Sequence, residues 1–266
     1  MKYLSKALSF TIKNWMLIIP LFALTALAGL IKGAGAVISL ATIVSLFNID
    51  NYSSVDALIK LIPAILTAVF GGSIISFIIP FIHQPATYGL VNKSLDTGYA
   101  SLNDIGAAIS GNFVKYIMYF IGTLVVNIVL GIATFLIMLL MILLVAALKG
   151  FGVVLMILVL IALLLFFIVF SVLTSFWFTA MVVDGLDVVN AFKKSIEVVK
   201  SSFWTVVGIT LLVVIAASII SSILSFLNFI PVIGPIILSA IPTIQAFVLI
   251  VFRMMLYREK TGRDFI

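Results

Sequence analysis

The feature that most constrains this chain is a series of long segments without a charged residue. They are Asn14–Ile31, Gly33–Ile49, Leu61–Asn92, Tyr116–Leu148, Gly150–Val183 and Ser201–Phe252. A helix needs about 20 apolar residues to cross the hydrocarbon core of a bilayer. The first two segments, separated only by Lys32, are taken as one span. The last is long enough for two, and Asn228–Pro235 marks the turn between them with two prolines and a glycine. The sequence therefore predicts six transmembrane helices.

The composition excludes an ordinary soluble enzyme. Apolar residues make up 64% of the chain and charged residues only 9%, against about 25% charged in a typical soluble domain. The chain has no cysteine and one histidine, which leaves little material for thiol, metal or acid–base chemistry. None of the common catalytic or phosphate-binding motifs is present. We therefore predict no catalytic residue, no metal site, no cofactor and no enzymatic activity.

The basic residues are sorted by side of the predicted membrane. Of the 15 basic residues, Lys32, Lys60 and Lys149 fall in one set of loops, with Asp50 and Asp56. The other 12 fall in the termini and the alternate loops: Lys2, Lys6, Lys13, Lys93, Lys115, Lys193, Lys194, Lys200, Arg253, Arg258, Lys260 and Arg263. The positive-inside rule then places both termini in the cytoplasm. Topology thus accounts for the +6 net charge without a nucleic-acid partner.

Short amphipathic helices are predicted before the first, third and fifth spans. In the third, Val188, Val189, Phe192, Ile196 and Val199 form one face, and Asn190, Lys193, Lys194, Glu197 and Lys200 form the other. We call such a segment a lead-in helix. Each is expected to lie at the acyl boundary with its lysines toward anionic headgroups. Aromatic residues predicted to mark entry into the bilayer are Trp15, Phe113, Phe203 and Trp204.

The lead-in helices suggest an internal repeat within a single integral membrane domain, residues 1–266. Each unit would contain a lead-in helix, a span, an outer turn and a second span. The units cover approximately residues 1–98, 99–184 and 185–266. The predicted fold is all-α, with six transmembrane helices arranged as three helical hairpins. Lys149-Gly150, followed by Gly152, marks the expected tight turn between spans three and four.

Polar residues inside the predicted spans are few. Pro80, His83, Gln84 and Pro85 lie together in span two, where two prolines are expected to break or kink the helix. Pro242 and Gln245 form a smaller counterpart in span six. Interrupted helices at corresponding positions can mark a transport site, so one interpretation is a polar pocket of His83, Gln84 and Gln245. The alternative is that the prolines only bend long helices. Ser218, Ser221, Ser222 and Ser225 are interpreted as a face for close helix packing.

One stretch carries a family resemblance. Asp184-Gly185 follows Met181-Val182-Val183, and the chain continues through Ala191-Phe192-Lys193-Lys194-Ser195 to a Phe-Trp pair before the next span. This stretch resembles the multispan membrane domain named for glycerophosphoryl diester phosphodiesterases, and the uncharacterised bacterial membrane proteins of the YciC type. The resemblance is sharp over about residues 179–208 and implies a six-span layout elsewhere. It implies no hydrolytic activity here, because the spans and short loops use up the chain.

These observations favour a non-enzymatic protein of the bacterial cytoplasmic (inner) membrane. The leading prediction is a scaffold or accessory role in envelope homeostasis or export. A transporter or lipid-handling protein that uses the polar residues of spans two and six is the main alternative, and antimicrobial immunity or tolerance is a weaker one. Expected partners are the lipid bilayer and its anionic headgroups, with a protein partner or a homo-oligomer as further possibilities.

Overall fold

The computed structural model describes residues 2–30, 72–230 and 233–263, and helix is the only regular structure in those ranges. The helices are α1 Lys2–Lys13, α2 Trp15–Leu30, α3 Gly72–Thr97, α4 Ile105–Leu148, α5 Gly150–Leu173, α6 Trp177–Val183, α7 Val188–Ile223 and α8 Ile233–Lys260. Short 3₁₀ turns open α2 at Trp15–Ile18, precede α4 at Leu102–Asp104 and follow α7 at Leu224–Phe229.

Several of these helices are long and apolar enough to cross a membrane. Within the described residues they are Leu102–Leu148, Gly150–Val183, Val188–Phe229 and Ile233–Lys260, with the bent pair of α1 and α2 as a possible fifth. The most apolar window of α5 is 0% buried, whereas that of α8 is 39% buried. Exposed apolar surface on this scale marks contact with lipid or protein. The fold is therefore an all-helical membrane protein.

Part of the predicted topology lies outside the described residues. This part includes the end of span one, the beginning of span two and the loop between them, with Lys32, Lys60, Asp50 and Asp56. The predicted spans three to six correspond to α4, the α5–α6 pair, α7 and α8.

Two predicted turns coincide with helix ends. Lys149 separates α4 from α5 and has a φ of 50°. A Cβ atom on the nearby Gly152 would lie 2.6 Å from the Leu144 carbonyl oxygen, so the two helices approach closely beside this turn. Near the predicted turn at Asn228–Pro235, the 3₁₀ turn ends at Phe229 and α8 begins at Ile233.

The predicted lead-in helices have three different outcomes. α1 meets α2 at an angle of 89°, with Asn14 between them. α7 has non-helical backbone angles at Ser202, directly before the predicted entry at Phe203 and Trp204. In contrast, α4 continues through Asn112 without a break, so the prediction of a separate helix there is wrong. The amides of Asn14 and Asn112 both donate to the carbonyl four residues earlier, so this bond alone does not end a helix.

The predicted breaks at proline are also absent from the described helices. α3 is continuous through Pro80 and Pro85, and α8 is continuous through Pro242. The fixed φ of proline is compatible with helix, and its main cost is a missing N–H and a steric clash with the preceding turn. The proline positions therefore do not define a pair of interrupted helices.

The chain divides into two compact units whose boundaries lie inside α4, α7 and α8. The first contains the described part of residues 1–113 with 210–252, and the second contains 114–209 with 253–263. In the first, Phe247, Leu90 and Leu17 are almost completely buried. In the second, α6 is buried along its whole length, and Trp177 packs edge-on against Phe192 with ring centroids 4.8 Å apart.

Candidate functional site

The acidic residue of the resembled motif lies at the end of α6, within the second unit. The Tyr257 hydroxyl donates a hydrogen bond to one oxygen of the Asp184 carboxylate, and Arg263 Nε lies 2.7 Å from the other oxygen. The following Gly185 has a φ of 66°, a left-handed conformation that glycine adopts without a side-chain clash. Asp184 therefore fastens the C-terminal part of the chain to the turn that precedes α7.

The Ala-x₃-Ser part of the motif is a buried packing seam. Ala191 and Ser195 are both completely buried. The Ser195 hydroxyl donates to the Leu173 carbonyl at 2.7 Å and accepts from the Phe176 N–H at 3.1 Å. Leu173 and Phe176 flank the break between α5 and α6, so this hydroxyl satisfies backbone groups that the break leaves without helical partners. The seam holds α7 in place and offers no accessible reactive group.

The start of α7 is fixed by three further hydrogen bonds. Trp177 Nε1 donates to the Val188 carbonyl at 2.7 Å. Asp187 caps the helix by accepting the N–H groups of Val189 and Asn190. Its bonds with Asn190, backbone first, hold the pKa of this exposed carboxyl below its usual value.

The lysines of the third lead-in helix face away from this seam. Lys193 and Lys200 are exposed, and Lys194 Nζ lies 2.9 Å from a Glu197 carboxylate oxygen. We call Lys193, Lys194 and Lys200 the lysine face. The buried stripe of the same helix is Ala191, Ser195, Val198 and Val199, whereas Val189 in the predicted apolar face is 59% exposed. The predicted apolar face is thus only partly directed to the protein core, and Phe192 lies half-buried at its edge.

The predicted entry aromatics are accessible in the structure. Trp204 is 81% exposed and Trp15 is 61% exposed, and Phe113 is also exposed. Phe203 is half-buried and packs edge-on against Trp204 with ring centroids 5.4 Å apart. Large exposed rings beside helix bends suit the headgroup level of a bilayer.

The residues of the predicted polar pocket lie on two described helices, His83 and Gln84 on α3 and Gln245 on α8. His83 is buried in α3, and its Nδ1 atom has no hydrogen-bond partner in the described part of the chain. Gln84 is half-buried on the same helix. Gln245 lines two cavities beside α8, and the residues around them include neither His83 nor Gln84.

The first cavity beside Gln245, which we call the polar cavity, has a mixed lining of polar and apolar groups, and the second is almost entirely apolar. The polar cavity has a volume of about 490 Å³. Its polar lining groups come from Ser218, Ser221, Ser222, Asn228 and Gln245. The apolar cavity has a volume of about 290 Å³, and Leu4, Leu8, Leu212, Ile220, Ile244 and Val248 are among its lining residues. Ala217 and Gln245 line both cavities, and all these residues belong to the first unit.

Sequence reasoning missed two parts of this arrangement. It did not pair Asp184 with Tyr257 and Arg263, which lie more than 70 residues further along the chain. It also assigned Ser218, Ser221, Ser222 and Ser225 to helix packing, whereas the first three line the polar cavity. Their spacing of three and four residues places them on one helix face, but that spacing does not distinguish a packed face from an open one.

The comparisons with known proteins give a family and no function. The family model described as "Domain of unknown function (DUF7847)" matches residues 15–257. No curated protein and no solved structure matches the chain.

Proposed function

We propose that this chain, which belongs to the DUF7847 family, is a non-enzymatic scaffold or accessory protein of the bacterial inner membrane. It would act in envelope homeostasis or export. Its six spans would form three hairpins with both termini in the cytoplasm. The same proposal includes a relationship to the membrane domain named for glycerophosphoryl diester phosphodiesterases. That relationship rests on the motif residues Asp184, Gly185, Ala191 and Ser195.

The observation that carries this proposal is a lysine face on a firmly held helix. Ser195 and Trp177 bond the buried side of α7 to the α5–α6 break and to α6. The exposed side then presents Lys193 and Lys200. A basic residue near an anionic membrane surface contributes roughly 1 kcal/mol of attraction. Both anionic headgroups and an acidic protein segment would be attracted to such a face.

A scaffold role predicts that this face touches a specific protein in native membranes. A photo-crosslinking amino acid at position 193 or 200 should give the same protein adduct from both positions. A second experiment places the crosslinker at position 196 and combines the charge reversals Lys193→Glu and Lys200→Glu. The yield of this adduct should fall about tenfold, because two favourable charge contacts become repulsive.

The matched control reverses two lysines on another lead-in helix, Lys2→Glu with Lys6→Glu. This control changes the net charge equally and should leave the adduct intact. Adducts that contain only lipid, or a protein adduct that is insensitive to the α7 reversal, would contradict the scaffold role.

The alternatives stand on different evidence. The two cavities that Gln245 lines do not include His83 or Gln84, so these cavities do not support transport through a pocket of the three residues. A lipid-handling role is favoured by a separate observation, the two cavities that share Gln245.

A further inference from the structure

We propose that the groove formed by the two cavities between α7 and α8 binds one membrane lipid with an uncharged, hydrogen-bonding head group. The head group would occupy the polar cavity, and an acyl chain would lie in the apolar cavity. This inference does not depend on the scaffold role.

The geometry of this groove fits an amphiphilic ligand. The polar cavity and the apolar cavity lie beside the same two helices and share Ala217 and Gln245. Their volumes of about 490 and 290 Å³ compare with roughly 300–1,000 Å³ for small-molecule sites. One ligand can therefore place a polar end and an apolar end on either side of the Ala217–Gln245 boundary.

The serine hydroxyls that line the polar cavity make no hydrogen bond within the described part of the chain. Ser239 and Thr243 of α8, and Ser225 in the turn after α7, donate their hydroxyls to a carbonyl three or four residues earlier. In contrast, the side chains of Ser218, Ser221, Ser222 and Gln245 have no hydrogen bond to any described residue. Polar groups held in an apolar membrane without partners are costly. Ser218 and Ser222 are exposed, and Ser221 and Gln245 are half-buried, so these side chains of two helices are accessible to a ligand that carries hydrogen-bonding groups.

The chemistry of the lining selects an uncharged head group. No lysine, arginine, aspartate or glutamate in the described part of the chain lines the polar cavity. Pro242 also lines it and has no N–H to donate to the Leu238 carbonyl, which belongs to another lining residue. The cavity thus offers hydroxyls, amides and backbone acceptors, which suit hydroxyl groups of a glycerol or a sugar. A phosphate would lack the cation that usually neutralises it.

A lipid explains both cavities better than a second copy of the chain. Helices that associate through small residues bring their backbones into close contact, and such contact would leave recesses of this size unfilled. The apolar cavity also includes Leu4 and Leu8 of the amphipathic helix α1. Amphipathic helices of this kind sit at the acyl boundary, where an acyl chain is the nearest apolar group.

The test uses the full chain in phosphatidylcholine vesicles that contain a diacylglycerol with a photoactivatable acyl chain. After illumination, we expect labelled peptides from α7 and α8, including Ile220 or Ile244. Gln245→Leu should reduce this labelling about fivefold for each hydrogen bond lost, because one bond contributes about 1 kcal/mol. A phosphatidic acid that carries the same acyl chain should label these peptides several-fold less.

The matched control is Asn127→Leu, which removes an exposed amide from α4 in the second unit and should leave labelling unchanged. Unfolding temperatures of the two variants in detergent show whether a loss of labelling reflects a loss of fold. Where Gln245→Leu is unstable, Ser222→Val replaces it. The proposal would be overturned by labelling that survives in a folded Gln245→Leu or Ser222→Val variant. Equal labelling by phosphatidic acid, or crosslinks between two copies of the chain through this groove, would also overturn it.

Discussion

The hydroxyl of Ser195 has two structural roles at one point of the second unit. It donates to the Leu173 carbonyl and accepts from the Phe176 N–H, and these two groups belong to the break between α5 and α6. A backbone group that loses its partner in a buried place retains the full cost of its desolvation. We therefore treat Ser195 as a structural residue whose removal has a measurable effect.

Ser195→Ala should lower the free energy of unfolding by roughly 1–3 kcal/mol. For a chain of this size, such a loss corresponds to an unfolding midpoint lower by roughly 2–10 °C, measured by thermal denaturation in detergent. The control is Ser201→Ala on the same helix, because the Ser201 hydroxyl bonds only within α7, to the Val198 carbonyl and, at 3.5 Å, to the Ser202 hydroxyl. An equal effect of the two substitutions would show that the α5–α6 break does not depend on Ser195.

The sequence identified some site residues and could not identify their partners. Asp184 and Ser195 stand out through a motif of local spacing. Tyr257 and Arg263 carry no local signal, because their role depends on where the end of α8 packs. The exposure of the α7 lysines on one helix face was also predictable from helical periodicity. The helix face that is buried was not predictable, because Ala191 is small and Ser195 is polar, and such residues contribute little to a hydrophobic pattern.

At the scale of helices, close approach depends on a few glycines. A Cβ atom built on Gly89 of α3 would lie 2.8–2.9 Å from Ala108 Cβ and Cα on α4. Since the Cα atom belongs to the backbone, the neighbouring helix must shift to admit a methyl group. A Cβ atom built on Gly111 of α4 would meet no described atom within 4 Å, so this glycine provides a matched comparison.

Gly89→Ala should destabilise the protein by roughly 1–3 kcal/mol through overpacking. Gly111→Ala should instead be neutral or stabilising by up to about 1 kcal/mol, because alanine favours helix over glycine. Chemical denaturation of both variants in the same detergent measures the difference. A Gly89→Ala variant as stable as the parent would indicate that α3 and α4 are not in close contact at this position.

Helix ends were predictable where backbone geometry demands a particular residue, and less so elsewhere. The predicted turn at Lys149-Gly150 coincides with the positive φ of Lys149, and the predicted end of the third lead-in helix coincides with the non-helical backbone at Ser202. The expected breaks at Pro80 and Pro85 do not, because proline reduces helix stability without preventing helix. Packing of the surrounding helices decides such cases, and that packing is not encoded in the local pattern.

For the molecule as a whole, apolar exposure and charge distribution support one environment. Along α4 and α5 most large apolar side chains are exposed, for example Phe135, Leu143 and Phe151 at 60% or more. Such a surface is stable only against lipid or another apolar surface. Lys149 and the α7 lysines, which the predicted topology places on opposite sides of the membrane, then serve as markers for a test of that topology.

The absence of cysteine makes this topology directly testable. The parent chain contains no cysteine, so a single introduced cysteine is the only thiol that a maleimide can label. With both termini in the cytoplasm, Lys149→Cys should react with a membrane-impermeant maleimide in intact cells once any outer barrier is opened. Lys200→Cys should react only after the inner membrane is permeabilised. In the predicted topology the α5–α6 span separates the two positions and places them on opposite sides of the bilayer. Labelling of both from one side would reject that span, and the reverse pattern would reject the orientation inferred from the positive-inside rule.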